Sequence, residues 1–347
     1  MKKYYIILIF FAFFIFFLYY FLFLSYYIIF LLIFFAFYAI LTLIILITLI
    51  FFGDFFMKLT ELFSQDKMHL SFEVFPPKTS TAFDSVKHAT EEIAKLSPSF
   101  VSVTYGAGGG TSRYTLEIAE NIKKNYGVPT LAHLTCVSST KETVRERIEQ
   151  IHSAGIENIM ALRGDLTPEL EATDRSAWAY CHAIDLIRDI KESGYDFCIG
   201  GACYPEVHPE SANQADDIKY LKEKVDAGCS FLTTQMFFDN NLLYNFLYKI
   251  REAGITVPII PGIMPITNAN QLERAIKLSG SFVPQRFKAL VDKFGHNPEA
   301  MKQAGIAYAT DQIIDLFANG ILNVHVYSMN KPDVASSIQS NLSNIIG

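Results

Sequence analysis

The sequence has few cysteines, and none of them is spaced as a metal-binding or redox pair. It contains five cysteines in 347 residues, without a C-x-x-C motif. An odd and scattered set argues against a disulfide framework, so we expect a reducing compartment. Basic runs are also absent, and the net charge is −6. An acidic chain without basic clusters is not expected to bind nucleic acid.

Three common site motifs are missing as well. No Gly-Lys-Ser/Thr ends a glycine-rich loop, no Gly-x-Gly-x-x-Gly follows the first predicted strand, and no His-Glu-x-x-His occurs. These absences exclude a Walker phosphate loop and disfavour a doubly wound dinucleotide-binding sheet. His133 and His208 could suggest a metal, but no carboxylate cluster accompanies them. We therefore predict no metal site.

The N-terminal segment lacks charge altogether. Residues 4–53 carry no charged side chain, and residues 1–56 hold 16 of the 30 phenylalanines. One helix of fifty residues would be about 75 Å long, more than twice a hydrocarbon core. If the segment is translated, we therefore predict two membrane-spanning helices with a turn near Ser25-Tyr26-Tyr27, and Lys2 and Lys3 on the cytoplasmic side. We favour a misassigned start site over a membrane anchor, because Met57 begins a polar segment of ordinary composition; the protein would then be cytoplasmic.

Residues 57–347 read as one domain in which short apolar runs alternate with helical patterns. Eight such alternations predict a (β/α)8 TIM barrel of the α/β class. The interval from Ser279 to Gly320 is too long for one connection, so one or two extra helices should precede the last strand. The predicted strands are His69–Phe75, Phe100–Tyr105, Thr130–Thr135, Asn158–Leu162, Phe197–Cys203, Phe231–Gln235, Val257–Gly262 and Leu322–Tyr327.

Polar residues cluster at the carboxyl ends of these strands, where barrel active sites form. Glu73 should point into the barrel mouth, where burial raises a carboxyl pKa and suits a general acid. The alternative for Glu73 is an ion pair with Lys78 or Arg163. Arg163 and Asp165 could likewise pair with each other or bind a ligand separately. The glycine-rich run 106–110 could approach an anion or planar ligand, or be a plain turn.

Seven segments in order resemble methylenetetrahydrofolate reductases of the short bacterial type. The resemblance covers about residues 57–347, and the seven motifs together are far more specific than any one of them. They are Ser71–Lys78, Val103–Gly109, Ala132–Cys136, Leu162–Asp165, Tyr204–Pro209, Thr234–Asp239 and Ile260–Pro265.

The resemblance implies a barrel that holds FAD non-covalently and takes hydride from NADH or NADPH. The flavin would then reduce methylenetetrahydrofolate to 5-methyltetrahydrofolate, which supplies methyl groups for methionine synthesis. Glu73 would be the general acid, Asp165 would tune the flavin and bind folate, and Gln235 would hydrogen-bond either substrate. The residues implied in binding FAD are Thr104, His133, Arg163, Gly164, Asp165, Tyr204, His208, Asp217 and Lys224; Asp217 rather than Asp216 follows from an ungapped count.

The sequence departs from the family in two places. Strand eight ends in Ser328-Met329-Asn330-Lys331 instead of Thr-Leu-Asn-Arg, so Lys331 would bind substrate as a point charge without the planar fork of arginine. The helix after strand seven contains Gln271–Ala275 and no aromatic residue to stack on a nicotinamide. We expect a homo-oligomer. The alternative functions are another FAD-dependent barrel oxidoreductase of the proline dehydrogenase type and a non-catalytic, membrane-anchored barrel.

Overall fold

The computed structural model describes residues 2–52, 57–77, 79–105, 112–166, 170 and 173–346. The chain divides into two compact units, Met1–Phe55 and Phe56–Gly347. The described part of the first unit is a single α-helix, Lys2–Phe52. Within it, Phe11–Leu46 is long and apolar enough to cross a membrane, judged by length and composition alone.

The predicted turn at Ser25-Tyr26-Tyr27 is wrong, because these residues lie within the continuous helix. The Ser25 hydroxyl donates a hydrogen bond to the carbonyl oxygen of Phe21 at 2.9 Å. A serine that bonds back to the preceding helical turn leaves the backbone ladder intact. The segment also contains no proline, and no glycine precedes Gly53, so nothing in it interrupts a helix.

In the part of the second unit that the structure describes, nine parallel strands form one sheet, in the order β7-β6-β5-β4-β3-β2-β1-β9-β8. Their bounds are β1 (His69–Val74), β2 (Val101–Val103), β3 (Thr130–Thr135), β4 (Asn158–Leu162), β5 (Cys198–Cys203), β6 (Phe231–Thr234), β7 (Ile259–Ile260), β8 (Gly262–Ile263) and β9 (Asn323–Tyr327).

The seventh predicted strand is split in two by Pro261. Ile259–Ile260 pairs with β6, whereas Gly262–Ile263 pairs with β9. Proline has no N–H to give to a ladder, but the carbonyl oxygen of Pro261 accepts from the backbone N–H of His325 at 2.9 Å. The two ends of the sheet are thus joined through one residue, and the sheet closes as the predicted TIM barrel.

Helices connect the strands and cover the outside of the barrel. Two of them, Gln285–Phe294 and Pro298–Ala318, occupy the interval before the last strand, as predicted. The other α-helices among the described residues of this unit are Leu59–Phe63, Phe83–Ala94, Ser112–Tyr126, Lys141–Ser153, Ala183–Glu192, Gln214–Asp226, Asn240–Glu252, Ala269–Ser279 and Pro332–Ile346, with short 3-10 helices at Ser80–Ala82 and Arg175–Ala177.

The inside of the barrel differs between its two ends. At the amino ends of the strands an apolar cluster fills the interior, and the helix Leu59–Phe63 packs against it. Asn158 holds this helix in place, since its Oδ1 accepts a hydrogen bond from the backbone N–H of Leu59 at 2.9 Å. The cluster includes Phe100, Leu131 and Met160. Further along the strands lie buried polar residues, among them Ser102, His133 and His325.

Candidate active site

Glu73 lies on β1 near the carboxyl end of the barrel, between neighbours on β2 and β9. Its register partners are Ser102 on β2 and Tyr327 on β9. The Glu73 side chain is 22% exposed, so it is shielded but reachable. Burial raises its pKa to about 8. A carboxyl group with this pKa is mostly protonated at pH 7 and can serve as an acid.

His133 on β3 also faces Glu73. Its Nε2 lies 3.7 Å from Glu73 Oε2. Burial lowers the pKa of His133 to about 4, so the ring is neutral at pH 7 and this contact is not an ion pair. Nε2 is buried and has no hydrogen-bond partner within the described part of the chain. An unpartnered buried ring nitrogen is costly unless a ligand completes it.

Beneath Glu73 lies a buried histidine that the sequence analysis did not single out. His325 on β9 places Nδ1 2.7 Å from Ser71 Oγ and Nε2 2.9 Å from Ser102 Oγ. Its ring stacks on Phe100 with centroids 5.1 Å apart. Burial lowers the pKa of His325 to about 3. The sequence did contain a signal for His325. Asn323, His325 and Tyr327 occupy alternate positions of the predicted strand and so share one of its faces.

Tyr327 reaches across the barrel from β9 toward β6. Its hydroxyl donates to the carbonyl oxygen of Thr234 at 2.5 Å, and burial raises its pKa well above the ordinary value. Gly262 makes this crossing possible, because a Cβ there would lie 2.2 Å from the Tyr327 hydroxyl oxygen. The place where the barrel closes, between β6 and β9, therefore also forms one wall of the site.

Arg163 follows β4 and pairs with Glu210, a residue not named from the sequence. Two guanidinium nitrogens of Arg163 lie 2.8 and 2.7 Å from the Glu210 carboxylate oxygens. The Arg163 guanidinium lowers the pKa of Glu210 to about 2. Arg163 therefore pairs with Glu210 and forms neither of the ion pairs, with Asp165 or with Glu73, that the sequence left open. Asp165 is exposed, which leaves its carboxylate facing solvent at the rim.

Gly164 lies between Arg163 and Asp165, and its backbone conformation requires glycine. Its φ is +96°, and a Cβ would lie 2.8 Å from Val137 Cγ1. This turn sets the direction in which the chain leaves β4. A larger residue would displace Arg163 and Asp165 together.

Four further predicted site residues lie on or after β5. Tyr204 is partly buried and packs edge-to-face with His208 at 4.6 Å between ring centroids. Asp217 accepts a hydrogen bond from the backbone N–H of His208 at 3.1 Å, whereas Asp216 accepts one from the side chain of Asn213. The geometry thus brings Asp217, and not Asp216, to the His208 loop.

Lys224 lies behind this loop. It is partly buried, and its Nζ donates to the carbonyl oxygen of Ala202 at 2.7 Å. Desolvation lowers the pKa of Lys224. On β5, Gly200 accommodates the ring of Phe231, since a Cβ there would lie 2.4 Å from Phe231 Cζ.

The remaining predicted residues lie around the rim. Gln235 follows β6 and is a hydrogen-bonding partner of Tyr204. Thr104 follows β2, and its backbone N–H donates to the carbonyl oxygen of Val74 at 2.9 Å. Lys331 Nζ lies 2.7 Å from Thr267 Oγ1. Lys78 and the glycine-rich run 106–110 lie outside the described residues.

The fold and the site together define a class of protein. Parallel (β/α) barrels carry their chemistry at the carboxyl ends of the strands, and this one has an acid at the mouth with buried histidines beneath it. Among the described residues no group of three or more His, Cys, Asp or Glu side chains could hold a metal ion. The site is that of a barrel enzyme built on proton donors and hydrogen-bonding groups.

The family is shown by sequence comparison. The profile of the methylenetetrahydrofolate reductase family matches residues 58–343, and the chain belongs to this family. A 5,10-methylenetetrahydrofolate reductase of Pectobacterium carotovorum subsp. carotovorum is 36% identical over 274 residues, covering 79% of this chain and 90% of that protein. "Methylenetetrahydrofolate reductase (NADH) 1" of Zea mays is 35% identical over 295 residues, covering 82% of this chain and 50% of that protein.

The chain therefore spans about half the length of the plant relative it matches. A solved structure is described as an uncharacterized protein from Clostridium thermocellum that binds two copies of 5-methyl-5,6,7,8-tetrahydrofolic acid. It superposes with a TM-score of 0.61 at 16% identity, covering 83% of this chain and 99% of that one. At this identity the likeness shows the barrel fold alone.

Proposed function

We propose that this protein reduces 5,10-methylenetetrahydrofolate to 5-methyltetrahydrofolate, with NADH or NADPH as reductant and FAD as the bound cofactor. The observation that carries the proposal is Glu73, a reachable carboxyl group at the barrel mouth whose pKa burial raises to about 8. Family membership over residues 58–343 supports the same reaction.

The residues at the mouth fit a large planar cofactor. His133 presents an unpartnered buried Nε2 that a ligand could complete. Arg163, His208 and Lys224 are basic or neutral donors suited to a pyrophosphate. The residues that would hold FAD are Thr104, His133, Arg163, Gly164, Asp165, Tyr204, His208, Asp217 and Lys224. When bound, FAD would supply the hydride chemistry, which no side chain can provide.

The chain's own residues would handle the proton and the orientation of the folate. Glu73 holds a proton that a folate nitrogen takes as the methylene bridge opens to an iminium. Asp165 places a negative charge at the rim and can accept hydrogen bonds from the pterin. Gln235 offers both a donor and an acceptor to whichever substrate lies beside it. Lys331 would attract the folate's carboxylates as a point charge.

The setting of the reaction is also a proposal. We propose that the barrel works in the cytoplasm as a homo-oligomer and supplies methyl groups for methionine synthesis. The apolar helix Lys2–Phe52 would anchor it to a membrane where that segment is present in the cell.

The absorption spectrum and anaerobic half-reactions of the purified full chain test this function. We expect a flavin spectrum that is bleached by NADH or NADPH and restored by methylenetetrahydrofolate. Bleaching without restoration by the folate would indicate another flavin oxidoreductase, such as one of the proline dehydrogenase type. Protein that stays colourless after incubation with FAD would indicate a non-catalytic barrel.

A further inference from the structure

Glu210 joins two loops at the carboxyl end of the barrel. It lies in the loop that follows β5, whereas Arg163 and Arg175 belong to the segment that follows β4. Its carboxylate oxygens lie 2.7 and 2.8 Å from the two Nη nitrogens of Arg163. Oε2 of Glu210 also lies 3.7 Å from Nη1 of Arg175. One carboxylate therefore faces two guanidinium groups, which leaves a surplus of one positive charge.

The ion pair with Glu210 uses the edge of Arg163 that a ligand phosphate would need. A guanidinium group binds a carboxylate or a phosphate best through two parallel N–H groups on one edge. The edge formed by Nη1 and Nη2 is held by Glu210. Nε donates to the carbonyl oxygen of Gly164 at 3.3 Å, a backbone group that cannot rotate away. A phosphate that binds Arg163 through two parallel bonds must therefore displace Glu210.

The Glu210 side chain can turn away while the backbone of its loop stays in place. The backbone N–H of Glu210 donates to Nδ1 of His208 at 3.1 Å. Asp217 holds the same loop, since it accepts from the backbone N–H of His208 and from the hydroxyl of Ser211, both at 3.1 Å. The Glu210 side chain is 42% exposed, against 18% for Arg163. Rotation about the side-chain bonds of Glu210 thus brings its carboxylate into water, and Arg163 remains at the site.

The two arginines suit an anion with more charge than one carboxylate. A phosphate group has more acceptor oxygens than a carboxylate, so two guanidinium groups can share it. Arg175 is 46% exposed, and its guanidinium lies over the ring of Trp178 at 5.7 Å from the centroid. Its side chain is therefore free to approach an anion that Arg163 already holds. A pyrophosphate, with negative charge on two adjacent phosphates, would balance both arginines.

We infer that Glu210 competes with ligand pyrophosphate for Arg163 and Arg175, and that Arg175 is a second arginine of the pyrophosphate site. The identity of the ligand as FAD rests on the proposed function, whereas the exchange of a carboxylate for a phosphate is a property of these three side chains. The opposite role for Glu210 would be to hold Arg163 in the position that the ligand needs. The two roles predict opposite effects when the charge of Glu210 is removed.

Titration of the full chain in detergent with inorganic pyrophosphate tests the competition without flavin or turnover. Calorimetry gives the affinity, and the fluorescence of Trp178, the single tryptophan of the chain, reports binding beside Arg175. Glu210→Gln keeps the size of the side chain and removes its charge. Pyrophosphate should then bind about fivefold more tightly, which corresponds to a partly exposed ion pair of about 1 kcal/mol. Unchanged or weaker binding overturns the inference, as does the absence of pyrophosphate binding in both proteins.

A second variant tests the role of Arg175. Arg175→Gln keeps a long polar side chain without its charge, so pyrophosphate should bind about fivefold more weakly. In the Arg175→Gln background, Glu210→Gln should still tighten binding, because Arg163 is freed in either case. An affinity that Arg175→Gln leaves unchanged removes Arg175 from the site and overturns the inference.

The matched control is Asp216→Asn at the start of the helix Gln214–Asp226. Asp216 accepts from the side chain of Asn213 at 2.7 Å, so the substitution removes one negative charge from the same region and leaves Glu210 on Arg163. The affinity for pyrophosphate should not change. A gain equal to that of Glu210→Gln would be an effect of net charge alone and would overturn the competition.

FAD and riboflavin, which lacks phosphate, connect the site to the proposed function. Quenching of flavin fluorescence gives the affinity for each flavin. Glu210→Gln should tighten FAD binding by about the same factor as pyrophosphate binding and leave riboflavin binding unchanged; an equal gain for both flavins overturns the inference. A chain that shows the pyrophosphate effects but binds no FAD would refute the proposed function and leave the inference standing. A chain that binds FAD and turns over the folate, but shows no pyrophosphate effect, would do the reverse.

Discussion

Replacing Glu73 with glutamine should separate the two halves of the proposed reaction. Glutamine keeps the size and much of the hydrogen bonding of glutamate but cannot give a proton to a nitrogen. Burial raises the pKa of Glu73 from 4.5 to about 8. At pH 7 a carboxyl group with that pKa is about 90% protonated, against roughly 0.3% for an ordinary one. The site therefore increases the population of the acid by about 300-fold.

Stopped-flow absorbance of the flavin measures each half-reaction of Glu73→Gln separately. Reduction by NADH or NADPH needs no acid and should proceed at a near-normal rate. Reoxidation by methylenetetrahydrofolate should slow by roughly 10²–10⁴-fold, the usual contribution of a general acid. In the unaltered protein, the rate constant of reoxidation should decline as pH rises through about 8, because the protonated form is lost. In the variant that decline should be absent.

The matched control is Glu149→Gln, an exposed position on the helix Lys141–Ser153. It should leave both half-reactions unchanged. If both steps slow together in Glu73→Gln, the residue supports the structure of the site and is not its acid. If neither step slows, the proton comes from another group, and the assignment of β1 to catalysis is wrong.

Three further changes have defined outcomes. Asp165→Asn removes a negative charge from the rim, so it should raise the flavin reduction potential in a dye-equilibration titration and slow folate turnover; an unchanged potential would contradict a location near the flavin. A fragment of residues 57–347 should fold cooperatively in thermal melts and bind FAD, since residues 56–347 form their own compact unit; insoluble or colourless protein would contradict this. Gly262→Ala should lower the free energy of unfolding in urea by about 1–3 kcal/mol, because its Cβ would displace the Tyr327 hydroxyl; an unchanged value would mean that Tyr327 moves without cost.

The barrel was predictable because its signals are local. Each strand is a short apolar run between helical patterns, and period-two alternation already placed Ser71, Glu73 and Phe75 on one face. Polar strand ends then predicted the location of the site, and burial at the mouth predicted the direction of the Glu73 pKa shift. The break at Pro261 was visible in the sequence, but which neighbour each half pairs with depends on closure of the sheet.

The hydrogen-bond partners inside the site could not be predicted in the same way. Ser102 and His325 are 223 positions apart, and only the β2-β1-β9 strand order brings them together. Glu210 pairs with Arg163 across a loop whose course no local pattern sets. The turn expected at Ser25 failed for the opposite reason. Length and composition were used to place a break, while the local sequence favoured an unbroken helix.

Because Pro261 splits one strand in two, the barrel strands differ in length and in how easily they open locally. β7 and β8 are each two residues long, whereas β1 and β3 are each six. Amide exchange is governed by local opening, which is easiest where few ladder bonds must break. Local opening at β7 and β8 would move Tyr327 and Gln235 before it disturbed Glu73 on β1. The side of the barrel that carries Glu73 is therefore built of longer strands than the side formed by β7 and β8, and amide exchange should be slower at β1 than at β7 and β8.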